Sequence, residues 1–271
     1  MVSDNYLLTL LPRRETVDHL ARLYFENFET TYRVLHQPSF WDEYNTFWQD
    51  PQNGSSGFVP ILLLIAAMVS CISSQEQCNS VKGFSACETW VSWIDACDIW
   101  LSLQSQKHLN LANFQIRCLL LLSKQMVMMK EKRAWTSAAT LLSFSMSAGL
   151  HRDPCLLSSR ISTFDQEMRR RLWGTIVELE IEASIDRGVR PFSADLPFDC
   201  PPPSNLDDSE FGVESEQLPK EKPSVNFTAT SFLRKLHKSR SYRTALISMI
   251  NNPKSNLQYD EVMCMKANSS K

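Results

Sequence analysis

The sequence predicts an all-α fold, an irregular array of packed helical hairpins, on three observations. Apolar residues recur at three- and four-residue spacing in one stretch after another. Seven glycines occur in 271 residues, and alternating polar and apolar runs joined by hairpin turn pairs are nearly absent. Helix starts and stops are marked as well. Thr163 with Gln166 reads as a capping box, and Gly149 and Gly188 close the apolar patterns that precede them.

In chain order, Pro12 suits a first helical turn, and Val17, Leu20, Ala21, Tyr24 and Phe28 form one face of a helix ending near Thr30. Tyr32 to Pro38 is extended, because residues before proline avoid the helical region. Ser39, with Asp42 three residues on, then caps a helix that aligns Phe40, Tyr44, Phe47 and Trp48. Asp50 to Gly57 is a loop. Pro60 to Ile72 is apolar on all sides and, at about thirteen residues, short of the ~20 that cross a bilayer, so it reads as a core helix.

A helix beginning near Val81 carries Trp90, Trp93, Ile94, Cys97, Trp100 and Leu101. That spacing is one packed face, with a tryptophan ligand cage as the alternative. Leu109 to Met129 is another apolar helix, whose methionine-rich end suits a partner surface. Glu131 to Ala148 is a small-residue helix that lets a neighbour approach closely. His151, Arg152 and Asp153 form the turn after it, closed by Pro154. Thr163 opens a long helix with Met168, Leu172, Ile176, Leu179 and Ala183 on its apolar face, running to Arg187.

Residues 1–204 are read as the core of one helical domain and 205–225 as an acidic, proline-containing, mobile loop. Residues 226–271 continue the domain, with Phe232, Leu233, Leu236, Tyr242, Leu246, Ile247 and Ile250 as core positions and a further helix from Tyr259.

Several function classes are disfavoured. A formal net charge of -2 sets up no field for nucleic acid. The eight cysteines, at 71, 78, 87, 97, 118, 155, 200 and 264, contain no C-x-x-C pair, so neither a local zinc knuckle nor another resident cofactor is expected. No signal peptide is evident and no membrane partner is expected. A G-x-S-x-G elbow, an H-x-x-x-H pair and a glycine-rich phosphate loop are all missing, so no catalytic residue is nominated and an enzyme ranks third.

The most informative stretch runs from Gly149 to Pro191: GLHRDP, then EMRRRLW, then SIDRGVRP. Upstream stand LPRRETVDHLARLYF, YRVLHQPSFWDEY and AWTSAATLLSFSMSAGLHRD; downstream stand DCPPPSNLDDSEF, TSFLRKL and LQYDEV. In this order, over roughly residues 10 to 263, they resemble the fungal-specific transcription factor domain, the regulatory region found downstream of a Zn2Cys6 binuclear cluster. The resemblance implies a nuclear regulator of RNA polymerase II transcription. Its partners would be transcriptional co-regulators or related transcription factors, with a small-molecule effector as a further candidate. Zinc and DNA contact are implied only for an N-terminal cluster that this chain is expected to lack, as it is expected to stop within the regulatory domain. A cluster-less scaffold or dimerisation protein that competes with intact relatives is the alternative.

The family signature maps onto Gly149, His151, Arg152, Asp153, Pro154, Glu167, Arg169, Arg170, Arg171, Leu172, Trp173, Asp186, Arg187, Gly188, Arg190 and Pro191. A structural role is expected. Successive helical residues are ~100° apart, so three consecutive arginines cannot face one phosphate. Glu167, Glu178, Glu180, Glu182 and Asp186 nearly neutralise the same helix. The expected pairs are Arg170 or Arg171 with Asp153, and Asp186 with Arg190, locking the turn-helix-turn unit.

Overall fold

The computed structural model describes residues 3–52, 54–77, 86–105, 110–127, 134–157 and 161–252. Among them the regular elements are all helical: α1 (Asp4–Leu10), α2 (Arg14–Asn27), α3 (Gln37–Phe47), α4 (Phe58–Gln77), α5 (Ala86–Ser102), α6 (Leu111–Val127), α7 (Ala134–Ser147), the single turn α8 (Pro154–Leu157), α9 (Thr163–Arg187) and α10 (Ser231–Ile250). Short 3-10 turns lie at Phe192–Asp195 and Asp208–Glu210. Val81 and Tyr259, read as helix starts, fall outside the described residues.

Helix α4 is the hub. It packs on α1, α2, α5 and α6, which explains why Phe58 to Val69 is buried on every side. Successive helices from α4 to α7 pack on one another, while α6, α7 and α10 all lie against α9. No helix of the described residues is long and apolar enough to cross a membrane. The tryptophan stripe of α5 belongs to the core: Trp100 is buried and its indole N–H donates to Asp4 of α1, while Trp90 and Trp93 pack at its edge.

Three starts differ from expectation. Helix α1 was not read from the sequence, although Ser3 accepts from the Tyr6 N–H and Leu7 is fully buried, an ordinary cap followed by a core anchor. Helix α3 starts at Gln37 and not after Ser39. His36 is its cap, and Pro38 sits in the first turn, where a missing N–H costs nothing. In α9 the cap is Ser162, which accepts from the Asp165 N–H, while the Thr163 hydroxyl donates to the Glu216 carbonyl.

Helix α10 is the largest departure. Leu233, Thr244 and Ile247 are buried, but Phe232, Tyr242, Leu246 and Ile250, expected in the core, are exposed. The helix packs on α9 and on the 3-10 turn at Phe192–Asp195. A Cβ added at Gly174 would stand 3.3 Å from Leu233 Cδ2, so this glycine sets how closely the two helices approach.

Candidate functional site

The signature begins where α7 ends. Gly149 adopts φ 74°, its N–H donates to the Met146 carbonyl at 2.9 Å, and Leu150 N–H donates to Ser145 at 3.0 Å. This double bond pattern closes a helix through a left-handed residue. The Ala148 carbonyl, left over at that end, accepts from Arg169 Nη2 at 3.1 Å. Gly188 repeats the device after α9 at φ 68°: its N–H donates to the Ile185 carbonyl and the Val189 N–H donates to the Ser184 carbonyl, both at 3.0 Å.

The turn between them is held from outside. Asp199 accepts from Arg152 Nε at 3.0 Å and from the Asp153 N–H at 2.8 Å, and the His151 carbonyl accepts from the Asp199 and Cys200 N–H groups. Asp153 itself accepts from the Cys155 N–H at 3.0 Å, just ahead of Pro154, which opens α8. It does not pair with Arg170 or Arg171. Nor does Asp186 pair with Arg190: Asp186 and Arg187 are exposed, and Arg190 bonds Asp195 and the Ser248 hydroxyl. Both expected locks are replaced by other acids: Arg190 takes the exposed Asp195, whereas Arg170 takes Glu167 one turn back on its own helix and Arg171 takes Glu167 together with the distant Asp208.

Those acids build a buried junction. Arg171, fully buried, donates from Nε to Glu167 at 3.0 Å and from Nη1 to Asp208 at 2.5 Å. Its guanidinium also lies 4.8 Å from the Phe211 ring centroid. Arg170 approaches Glu167 at 3.4 Å and the Cys155 sulfur at 3.0 Å. Arg33, from the segment joining α2 to α3, bonds the same Asp208 oxygen and donates to the Glu29 carbonyl at 2.7 Å. Glu29 accepts from Tyr24 Oη at 2.6 Å and from the Leu35 N–H at 2.7 Å. Three carboxylates therefore face three arginines, and the cluster is formally neutral.

Asp208 is the pivot. Its other oxygen accepts from the Gln37 N–H at 3.0 Å, and its carbonyl meets His36 Nε2 at 2.9 Å. His36 Nδ1 accepts from the Ser39 N–H, which leaves the proton on Nε2 to donate to that carbonyl. Burial alone would raise the Asp208 carboxyl, but Arg171 and Arg33 outweigh it and hold it at about 2. Glu29 goes the other way: desolvation lifts it to about 7 despite Arg33. His36 is lowered by burial against the pull of Asp208.

The remaining acids of α9 serve other elements. Glu178 takes Arg243 of α10 in a two-pronged pair, both bonds at 2.7 Å. Glu180 accepts from the Phe192 and Ser193 N–H groups, and Glu182 from Tyr32 Oη at 2.6 Å. Trp173 and Leu172 are buried, Trp173 edge-on to Phe198. Pro191 is buried where the chain leaves α9.

This geometry binds three separated chain segments through one signature helix, and comparison with known proteins shows whose signature it is. The sequence matches the fungal specific transcription factor domain over residues 21–267. The chain belongs to this family. Similar curated relatives include transcription factor opdR of Penicillium oxalicum, 38% identical over 91% of this chain and 30% of its own length. Transcription factor asR3 of Sarocladium schorii is 34% identical over 94% of this chain and 30% of its own. The Zn(2)-C6 fungal-type transcription factor mpsB of Macrophomina phaseolina is 27% identical over 84% and 31%. The chain thus spans about three-tenths of the relatives it matches. No solved structure matches.

The zinc that the family implies finds no fitting donors here. Among the described residues no three His, Cys, Asp or Glu side chains stand close enough to hold a metal ion. Cys97 and Cys118 are buried thiols raised well above the ordinary range by desolvation, and Cys200 is pushed up to about 12. They are core residues of the transcription factor domain. Reading along the chain missed Glu29, Arg33 and Asp208. A signal existed: Glu29 and Arg33 stand four residues apart just ahead of the apolar Val34 and Leu35, and an Asp-Asp pair opens the acidic segment.

Proposed function

We propose that this chain is a regulatory, non-DNA-reading domain of a fungal transcription factor, acting in the nucleus through contacts with co-regulators or related factors and with a small-molecule effector. One observation carries this reading beyond family membership: the arginine run that superficially suits phosphates is consumed internally. Arg169 closes α7, Arg170 and Arg171 share Glu167, and Arg171 shares Asp208 with Arg33. Arg170 and Arg171 are buried, so their guanidiniums are turned to internal acids and away from any DNA backbone. Zinc-dependent DNA recognition is therefore assigned to a cluster outside this chain, and no catalysis is assigned to the chain.

The test fuses the 271 residues to a heterologous DNA-binding domain above a reporter in a fungal host. A reproducible rise or fall in transcription from a folded, nuclear fusion is expected, together with no mobility shift of duplex DNA by the unfused chain. A folded fusion that leaves transcription unchanged overturns the regulatory assignment. Tight DNA binding by the unfused chain overturns the assignment of DNA reading elsewhere.

A further inference from the structure

We propose that the cleft between α5, α6 and α7 is a binding site for a small monocarboxylate with an apolar body. The cleft has a volume of about 340 Å³, at the lower end of the ~300–1,000 Å³ of small-molecule sites. Leu120, Leu121, Leu141 and Phe144 form its apolar wall, and the exposed Thr136 places a hydroxyl at its edge.

Charge decides what fits. The lining holds two cations, Arg117 and Lys124, and one acid, Asp98. Lys124 Nζ is 2.6 Å from Asp98, which satisfies both. Arg117 is left over. Its guanidinium carbon stands 4.0 Å from the Phe144 ring centroid, so the fork is already positioned. Its Nε is buried and has no hydrogen-bond partner among the described residues. Burial lowers the Arg117 pKa against the pull of Asp98, a cost that a bound anion would relieve. An arginine fork pairs with a carboxylate through two parallel bonds, and one spare cation matches one negative charge better than the two of a phosphate monoester.

The position suits an effector. Helices α6 and α7 both pack on α9, so a ligand wedged between them presses on the helix that carries the signature junction. This inference rests on the regulatory reading above for its biological meaning, but the site itself is tested on the protein alone.

The experiment is saturation-transfer NMR on the full chain with 2-naphthoate and octanoate, each against its own primary amide. The expected result is that at least one acid binds about tenfold or more tightly than its amide, the loss that removal of one charge-assisted pair produces. Arg117→Gln should abolish that preference, and Arg117→Lys, which keeps the charge, should retain part of it. The proposal is overturned if neither acid binds, if acid and amide bind equally, or if Arg117→Gln keeps the preference. Because wild-type protein supplies the acid and amide comparison, a variant that fails to fold leaves the test intact. Arg117-dependent binding with a silent reporter fusion would remove the regulatory reading and keep the site.

Discussion

Removing Asp208 should damage this fold more than removing any other surface-segment acid. Asp208 is 8% exposed and stands between Arg33 and Arg171, at 5% and 0%. In Asp208→Ala both guanidiniums lose their shared anion, and leaving a buried charge unpaired costs about 3–5 kcal/mol. A second route to the magnitude uses the carboxyl itself. It is held at about 2 against an ordinary 3.8, and at about 1.4 kcal/mol per unit the ionised form is favoured by roughly 2 kcal/mol. That lower figure compares carboxylate with neutral acid, so it describes Asp208→Asn, which keeps shape and one acceptor. Urea denaturation followed by circular dichroism at pH 7 should therefore rank wild type above Asp208→Asn above Asp208→Ala. The Ala variant should also melt about 6–15 °C lower. Because the folded pKa is depressed, this stability is present above pH 3.8 and lost as pH falls towards 2. Wild type and Asp208→Asn should converge over that window. If both variants stay within about 0.5 kcal/mol of wild type, the range of an ordinary surface change, the junction argument is wrong.

Three further outcomes are expected. Glu29 is raised to about 7 by burial, so its contribution is complete below the ordinary 4.5 and disappears as pH rises through 7; Glu29→Gln should flatten the loss of stability between pH 5 and 8 in paired urea titrations. Arg243→Met strands Glu178, which is 2% exposed, and should cost about 3–5 kcal/mol, with amide exchange accelerating first along α10. Gly149→Ala forces a side chain into the left-handed region at φ 74° and should cost about 1–2 kcal/mol in thermal denaturation.

The helical class, the capped long helix and the two glycine stops were legible because they depend on neighbours within a turn or two. Periodicity places Met168, Leu172 and Ile176 on one face whatever lies opposite, and the stop at Gly188 is made by bonds from its own N–H to Ile185 and from the Val189 N–H to Ser184. The all-round apolar α4 was legible as core for the same reason. Its hub position was not, since that requires knowing which four helices surround it.

The junction is the opposite case. Arg171 was visible, and its partner Glu167 lies one turn away on the same helix, but Asp208 lies 37 residues on and Arg33 comes from 138 before. The sequence reading paired Arg170 or Arg171 with Asp153 of the preceding turn. The acidic segment was likewise read as mobile from its composition. Asp208 is instead held inside, because two desolvated arginines need one carboxylate more than the loop needs freedom. On α10 the apolar pattern marked Phe232, Tyr242 and Leu246 as core, but the buried residues are Leu233, Thr244 and Ile247, with Leu233 seated over Gly174 of α9. Sequence alone determined that the chain folds into helices and where most of them stop, since those are short-range choices of backbone and period. Which charges meet, and which apolar face remains in water, was decided only when the helices came together.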